Sequence, residues 1–364
     1  MVSWLGVARD RRLSTRAQLT SAVASAGAVS AGVLVGVLGA GGPGGDLAVA
    51  TPSAVTFNIN TAEGRTPISP LIYGINLDAN GDAAQFGAVM SEARPGMIRM
   101  GGNRWTAYNW ENNDSNAGSD WQFENDDLLA SSTAPGAAVL PTVRAAEKAG
   151  IPILLTIPIA GYVAADRDPP GQVQASGPNY LQTRFKIDRP TDPNPLTTVP
   201  DTSSPYVYQD QYVYFLTKAV PGAQLMFSLD NEPDLWDTTH KEIHPKPTTY
   251  VELASKDLAY AAAIKKVDPL APVTGPVSYG WEGYMSLQGA PDSAKYGDFL
   301  DWWLRQVRAA DAKAGATLVN DLDLHWYPEA TGGGDRIVDT GTSPAEVVAR
   351  EQAPRSLWDP SYVE

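Results

Sequence analysis

Cysteine is absent from the 364 residues. That removes disulfide frameworks, thiolate metal sites and thiol nucleophiles from consideration. Basic residues are also scarce. Lys and Arg number 27 against 41 Asp and Glu, giving a formal net charge of −14. A nucleic-acid partner needs clustered cations to meet its phosphates, so none is expected. No Gly-rich dinucleotide fingerprint opens a helix, and Gly41–Gly45 reads as a spacer. A Gly-x-Ser-x-Gly nucleophile elbow is missing, which speaks against serine-triad hydrolysis. There is no internal repeat, and this weighs against a structural or adhesive wall protein.

What is present is an ordinary globular composition rich in rings. Apolar residues make up 43%, and there are ten Trp and 15 Tyr. Such a chain is long enough to bury a large core without metal or cystine. An acidic, ring-rich chain suits a neutral polar ligand that stacks on aromatic faces.

The N-terminus has its own character. Arg9, Arg11, Arg12 and Arg16 are followed by an uncharged stretch from Ala17 to Gly42, then Ala48-Val49-Ala50. This is the layout of a secretory signal, with Arg11-Arg12 open to a twin-arginine route. Residues 1–50 are therefore expected to be removed on export, leaving a secreted, extracellular protein without a membrane partner. The alternative is an uncleaved anchor. The run from Leu19 to Ala40 is long enough to span, but Ala, Gly and Ser make it weakly apolar.

The remainder alternates apolar runs with helical patterns. Strands are expected at 72–77, 97–100, 151–159, 225–229, 271–277 and 318–326. Helices are expected at 137–150, 210–219, 250–267, 298–315 and 344–352. Runs apolar on both faces imply parallel strands covered by helices, and at this length a TIM-like (β/α)8 barrel is the expected α/β fold. Two loops, Gly101–Pro135 after the second strand and Ala160–Pro205 after the third, are long and polar. Loops of that length are usually functional.

In a barrel the chemistry sits at strand C-termini. The fourth strand is followed by Asp230-Asn231-Glu232-Pro233, which places a Glu where a general acid would stand. The second ends in Gly101-Gly102-Asn103-Arg104-Trp105, followed by Tyr108, Asn109, Trp110 and Glu111. The sixth ends in His325-Trp326-Tyr327-Pro328. Three polar-aromatic clusters at strand ends suit amide bonding and ring stacking to a sugar. Other patterns fit less well. His240-Lys241-Glu242-Ile243-His244 lacks zincin spacing, and Pro245 breaks any helix there. The acidic stretch Glu111–Asp127 does not match an EF-hand. Trp302-Trp303 lies in a helical pattern and reads as core packing.

Three segments together resemble glycoside hydrolase family 44: GGNRWTAYNWENNDSNAGSDW (Gly101–Trp121), FSLDNEPDLWDTTH (Phe227–His240) and DLHWYPE (Asp323–Glu329). The likeness runs from about Val55 to the end. It implies a retaining endo-β-1,4-glucanase acting on cellulose-type glucans, often also on xyloglucan. It implies a TIM-like barrel with a β-sandwich built from both chain ends, so residues 51–66 would supply one sandwich strand and 67–364 an incomplete barrel of six β-α units. The resemblance gives Glu232 the acid/base role and Asn231 the contact with the sugar 2-hydroxyl. Asn103, Trp105, Tyr108, Trp236, Trp326 and Tyr327 would line the cleft, and His325 would sit near the nucleophile. The nucleophile belongs to a seventh strand in this family, so it is expected beyond Glu364, and neither Glu329 nor Glu364 is nominated. A C-terminally truncated and inactive chain is the expectation that follows. No cofactor is implied, a structural calcium is left open, and the complete protein would be a monomer. Alternatives are a noncatalytic β-glucan-binding protein and a hydrolase of another β-linked polymer such as mannan or xylan.

Overall fold

The computed structural model describes residues 58–77, 87–328, 330–338 and 340–362. The chain divides into two units between Ile68 and Ser69. Of the first, only 58–68 is described. The expected signal segment and residues 51–57 lie outside the described residues. The described rest of that segment, 58–66, holds a turn at 61–64 and no strand. Asn60 is the cause: its side chain accepts from Ala62 N at 3.0 Å and its carbonyl from Glu63 N at 3.4 Å, with Gly64 following at φ +61°.

The second unit is built on a six-stranded sheet. Its strands are β1 (Ile75–Asn76), β2 (Ile98–Met100), β3 (Ile153–Ile157), β4 (Leu225–Leu229), β5 (Val273–Ser278) and β6 (Asp321–Leu324). They pair in sequence order, and every pairing is parallel. All six expected strands are present, and their sequential order is that of a partial (β/α) barrel. The pairing also sets the chemistry, because parallel neighbours bring their C-terminal ends to one edge.

Burial follows position in the sheet. Every residue of β3 and β5 is buried, Thr156, Thr274 and Ser278 included, as strands covered on both faces require. At the open edge, β6 is different: Asp321 and Leu322 are exposed.

The crossing helices are α1 (Leu140–Ala149), α2 (Gln209–Ala219), α3 (Tyr250–Val267), α4 (Phe299–Ala314) and α5 (Pro344–Gln352). Helix α1 stops where Gly150 adopts φ +68°, a left-handed C-cap that glycine takes at little cost. Thr249 caps α3 by accepting from Glu252 N, and Ser343 with Glu346 forms a capping box on α5. Trp303 is core, as its helical setting suggested, and its Nε1 donates to Asp257 Oδ2 of α3 at 2.7 Å.

The two long polar loops have internal structure. The first forms a hairpin of Ser115–Asn116 with Asn125–Asp126. The second contributes Tyr162–Ala164 and Phe185–Arg189 to a separate three-stranded sheet, completed by Tyr206–Tyr208 just beyond it. Several of their polar residues are buried and paired. Asn113, fully buried, donates to Ser132 O and Ala134 O and accepts from Tyr108 Oη and Ala138 N. Satisfied amides of this kind let a polar loop act as a rigid wall.

Candidate active site

The turn after β4 is fixed by its neighbours before it does any chemistry. Asp230, wholly buried at φ +68°, accepts from Thr106 Oγ1 at 2.6 Å, Ile159 N at 2.6 Å, Ala160 N at 3.2 Å and Asn231 N at 2.8 Å. One carboxylate thus ties together the ends of β2, β3 and β4. Burial pushes its pKa up, against the pull of those hydrogen bonds. On the other side, Glu232 N donates to Val277 O at 3.0 Å. Asp234 accepts from Ser278 Oγ at 2.9 Å and Tyr279 N at 3.0 Å, and burial pushes it up to about 6. Glu232 itself has φ +47° and Val277 has φ +59°. Left-handed Glu and β-branched Val are strained, and such strain persists only where surrounding bonds enforce it.

Held in that turn, the Glu232 side chain reaches the end of β6. Its Oε1 is 2.7 Å from His325 Nδ1. The other ring nitrogen, Nε2, is 3.3 Å from Arg99 Nη2. A guanidinium can only donate, so Nε2 must accept and Nδ1 must carry the hydrogen. His325 therefore donates to Glu232. Arg99 also donates to Asn231 Oδ1 at 2.9 Å and to Asn76 Oδ1 at 2.8 Å. Burial lowers its pKa, opposed by the charges of Asp323 and Glu232. Asn231 Nδ2 donates to Asn103 Oδ1 at 3.1 Å, and Asn103 Nδ2 to Asp120 Oδ2 at 3.1 Å. An unbroken polar chain thus runs from Asp120 to Glu232 across the ends of β2, β4 and β6.

Beside this chain lies a cavity of ≈ 710 Å³, lined by Asn76, Gly102, Asn103, Trp105 and Trp121 among others. Gly102 has φ +120°, a conformation an L side chain would strain to adopt. Trp121 is half-exposed and offers a flat apolar face. Across the sheet, Tyr327 is half-exposed and stacks on Tyr279, with ring centres 5.0 Å apart at 12°.

Among the residues expected to form the site, the fold brings Glu232, Asn231, Asn103 and His325 into one network. Trp105 lines the cavity but is almost wholly buried, with its ring against Tyr108. Trp326 is half-buried. Two expectations are corrected. Tyr108 is core, its hydroxyl spent on Asn113 Oδ1. Trp236 is also core: it is fully buried, with Lys256 Nζ 4.9 Å above its ring and the His244 ring 5.1 Å away. No face of either is left for a sugar. His325, expected near the nucleophile, is bonded to Glu232. Glu329 and Glu364 lie outside the described residues.

Arg99, Asn76, Trp121 and Tyr279 were missed. Arg99 had a signal, a lone charge inside the apolar run Met97-Ile98-Arg99-Met100. The zinc-like pair separates, His240 pairing with Glu242 and His244 with Glu252. Among the described residues no group of three or more His, Asp or Glu is placed to hold a metal ion.

A partial (β/α) barrel with a fixed carboxylate at the β4 end, joined by a chain of hydrogen bonds to an amide- and ring-lined cavity, has the layout of a glycosidase-type barrel. The family model for glycoside hydrolase family 44 matches residues 114–330. The chain belongs to that family. It is 41% identical over 332 residues to the beta-mannanase/endoglucanase A of Caldicellulosiruptor saccharolyticus, covering 85% of this chain and 24% of that protein. It is 38% identical over 333 residues to endoglucanase A of Paenibacillus lautus, covering 86% and 46%. The family 44 xyloglucanase of Paenibacillus polymyxa superposes with a TM-score of 0.71 at 39% identity, over 82% of this chain and 60% of that one. The family 44 endoglucanase of Clostridium thermocellum gives 0.70 at 38% identity, with the same coverages. The chain thus spans less than half the length of these two curated relatives.

Proposed function

We propose that this chain carries the acid/base side of a retaining glycoside hydrolase that cuts internal β-1,4-glucosidic bonds of cellulose-type glucans and xyloglucan. One observation carries the reading: Glu232 stands at a strand's C-terminal end, fixed from both sides and bonded to His325, and the polar chain through Arg99 and Asn231 joins it to Asn103 in the lining of the ≈ 710 Å³ cavity. His325 occupies Oε1, so Oε2 is left to deliver the proton to the leaving glycosidic oxygen. In the second half-reaction the same oxygen takes a proton from the attacking water. Asn231 is assigned to the sugar 2-hydroxyl. Its amide still has a second N–H and a second lone pair after bonding Asn103 and Arg99.

The attacking carboxylate of a retaining enzyme stands about 5–5.5 Å from the acid. We assign it to a seventh strand, which the six-stranded sheet does not include. The chain by itself then binds glucan without appreciable turnover. A relative solved with xyloglucan supports the substrate class, and the mannanase name of another keeps mannan in the substrate panel.

The test pairs calorimetry with analysis of new reducing ends, using cellohexaose, xyloglucan and mannan oligosaccharides. This chain and one extended through a seventh strand are compared. Both should bind glucan, and only the longer should cut it. Equal turnover sinks the assignment of the nucleophile, while absence of binding by both sinks the glucan reading. For residues 1–50 we infer a cleaved export signal. The mass of the exported protein should correspond to a start at Thr51, and a retained N-terminus would overturn this.

A further inference from the structure

The paired His240 and Glu242, poor candidates for a metal site, have an arrangement the hydrolytic chemistry does not use. Both side chains are wholly buried. His240 Nδ1 is 3.0 Å from Glu242 Oε1, and Nε2 is 2.9 Å from the main-chain oxygen of Asn103. A carbonyl only accepts, so Nε2 bears a hydrogen. Facing a carboxylate, Nδ1 bears the other, and the ring is an imidazolium. Burial opposes that charge. The hydrogen bond and charge of Glu242, the charge of Asp230 and the Asn103 carbonyl outweigh it, and hold His240 above its ordinary value. Glu242 Oε2 is buried with no partner among the described residues, so the carboxylate depends on His240.

The packing around the pair is close. A Cβ on Gly118, at φ +56°, would stand 1.9 Å from Thr239 O and 2.9 Å from His240 Nδ1. The turn Gly118–Trp121 also supplies Asp120, which holds the Asn103 side chain. The other charges nearby are engaged elsewhere: Lys241 lies over the Phe123 ring at 4.6 Å, and His244 bonds Glu252 at 2.9 Å.

We propose that His240, held by Glu242, is a positioning residue of the glycan site: its Nε2–H fixes the Asn103 main chain, and Asn103 orients the Asn231 amide beside Glu232. The proposal rests on the glucan reading for its ligand but not for its geometry. Loss of one proton would leave the other on Nδ1, where the acceptor is charged and the bond stronger. Nε2 would then turn a lone pair toward the Asn103 oxygen. Two acceptors repel, so Asn103 would loosen and Asn231 would lose its orientation.

The chain has three histidines, so each ring can be followed by nuclear magnetic resonance. The full chain is titrated from about pH 5 to about pH 10, across and above the ordinary histidine range. The His240 ring nitrogens and the side-chain amides of Asn103 and Asn231 are recorded together. His240 should be doubly protonated at neutral pH, and both amides should shift with its midpoint. His240→Phe should remove the Nε2–H while keeping a ring in the pocket, so the Asn103 main chain loses its donor. Cellohexaose affinity by calorimetry should then fall about tenfold, the scale of one lost hydrogen bond. A singly protonated His240 in the wild type, or amides indifferent to its titration, overturns the proposal. So does unchanged affinity in a folded His240→Phe variant. If that variant does not fold, the wild-type titration decides alone. If the wild type binds no cellohexaose, the glucan reading falls while the titration still decides the positioning.

Discussion

The ends of β4 and β6 face the same site but are held differently. At β4, Asp230 and Asp234 flank Glu232 and bind the ends of β2, β3 and β5. At β6, His325 reaches Glu232 from a strand whose Asp321 and Leu322 are exposed and whose only main-sheet neighbour among the described residues is β5. The difference teaches that the Glu232 side of the site is organised by strands that are paired on both sides. The side bearing His325, Trp326 and Tyr327 has that support on one side.

The comparison can be broken at several strengths. The largest effect falls on Glu232. In a chain extended through a seventh strand, Glu232→Gln should lower turnover of unactivated glucans by about 10²–10⁴-fold, the span of general acid–base catalysis. Azide should rescue cleavage of substrates with good leaving groups. Normal turnover in that variant would refute the acid/base role.

Next comes the tryptophan pair. Trp236→Ala empties a fully buried site and should cost about 3–5 kcal/mol in denaturant unfolding. Trp121→Ala removes a half-exposed ring and should leave stability within about 0.5 kcal/mol. It should weaken cellohexaose binding roughly three- to tenfold, as loss of a stacking contact does. The reverse pattern would show that the cavity is not the glucan cleft.

A third probe is the pH dependence of the buried half. Asp188 joins the loop sheet to α2 and α3 by accepting from Gln209 Nε2 at 2.6 Å and Tyr260 Oη at 2.5 Å. Burial pushes it up to about 7. A folded value above the unfolded one means that its stabilising contribution is complete below about pH 4 and lost as pH rises through about 7. Stability should fall across that window, and Asp188→Asn should flatten the slope. An unchanged slope would place the titration elsewhere. The smallest effect belongs to the open edge. Leu322→Ser, at a half-exposed position, should move stability by no more than about 0.5 kcal/mol. A loss of several kcal/mol would mean that the edge is covered.

Much of this was legible in residues alone. Runs such as Ile153–Ile157 have one solution, a strand buried on both faces, because no polar face is available to point at water. Glu232, Asn231, Asn103 and His325 were legible from the polar clusters that follow those runs. The role of each ring was not. Trp236 and Trp121 are the same residue type beside the same kind of polar neighbours, yet one is sealed under Lys256 and the other lines the cavity. Nor was the burial of residues 113–118 in the polar loop after β2 legible, since it depends on Asn113 finding partners up to 25 residues away.

The sequence by itself determined the order of strands and helices, the family and the carboxylate at the end of β4, since apolar period and local turn chemistry act over a few residues. Only the tertiary structure decided that Arg99 forces the tautomer of His325, that Asp230 joins three strand ends, and which rings remain open to a ligand. Those outcomes depend on contacts between residues up to 226 apart in the chain, from Arg99 to His325. No local pattern carries that information, because each partner's bonding capacity is taken up only when the parallel strands bring their ends together.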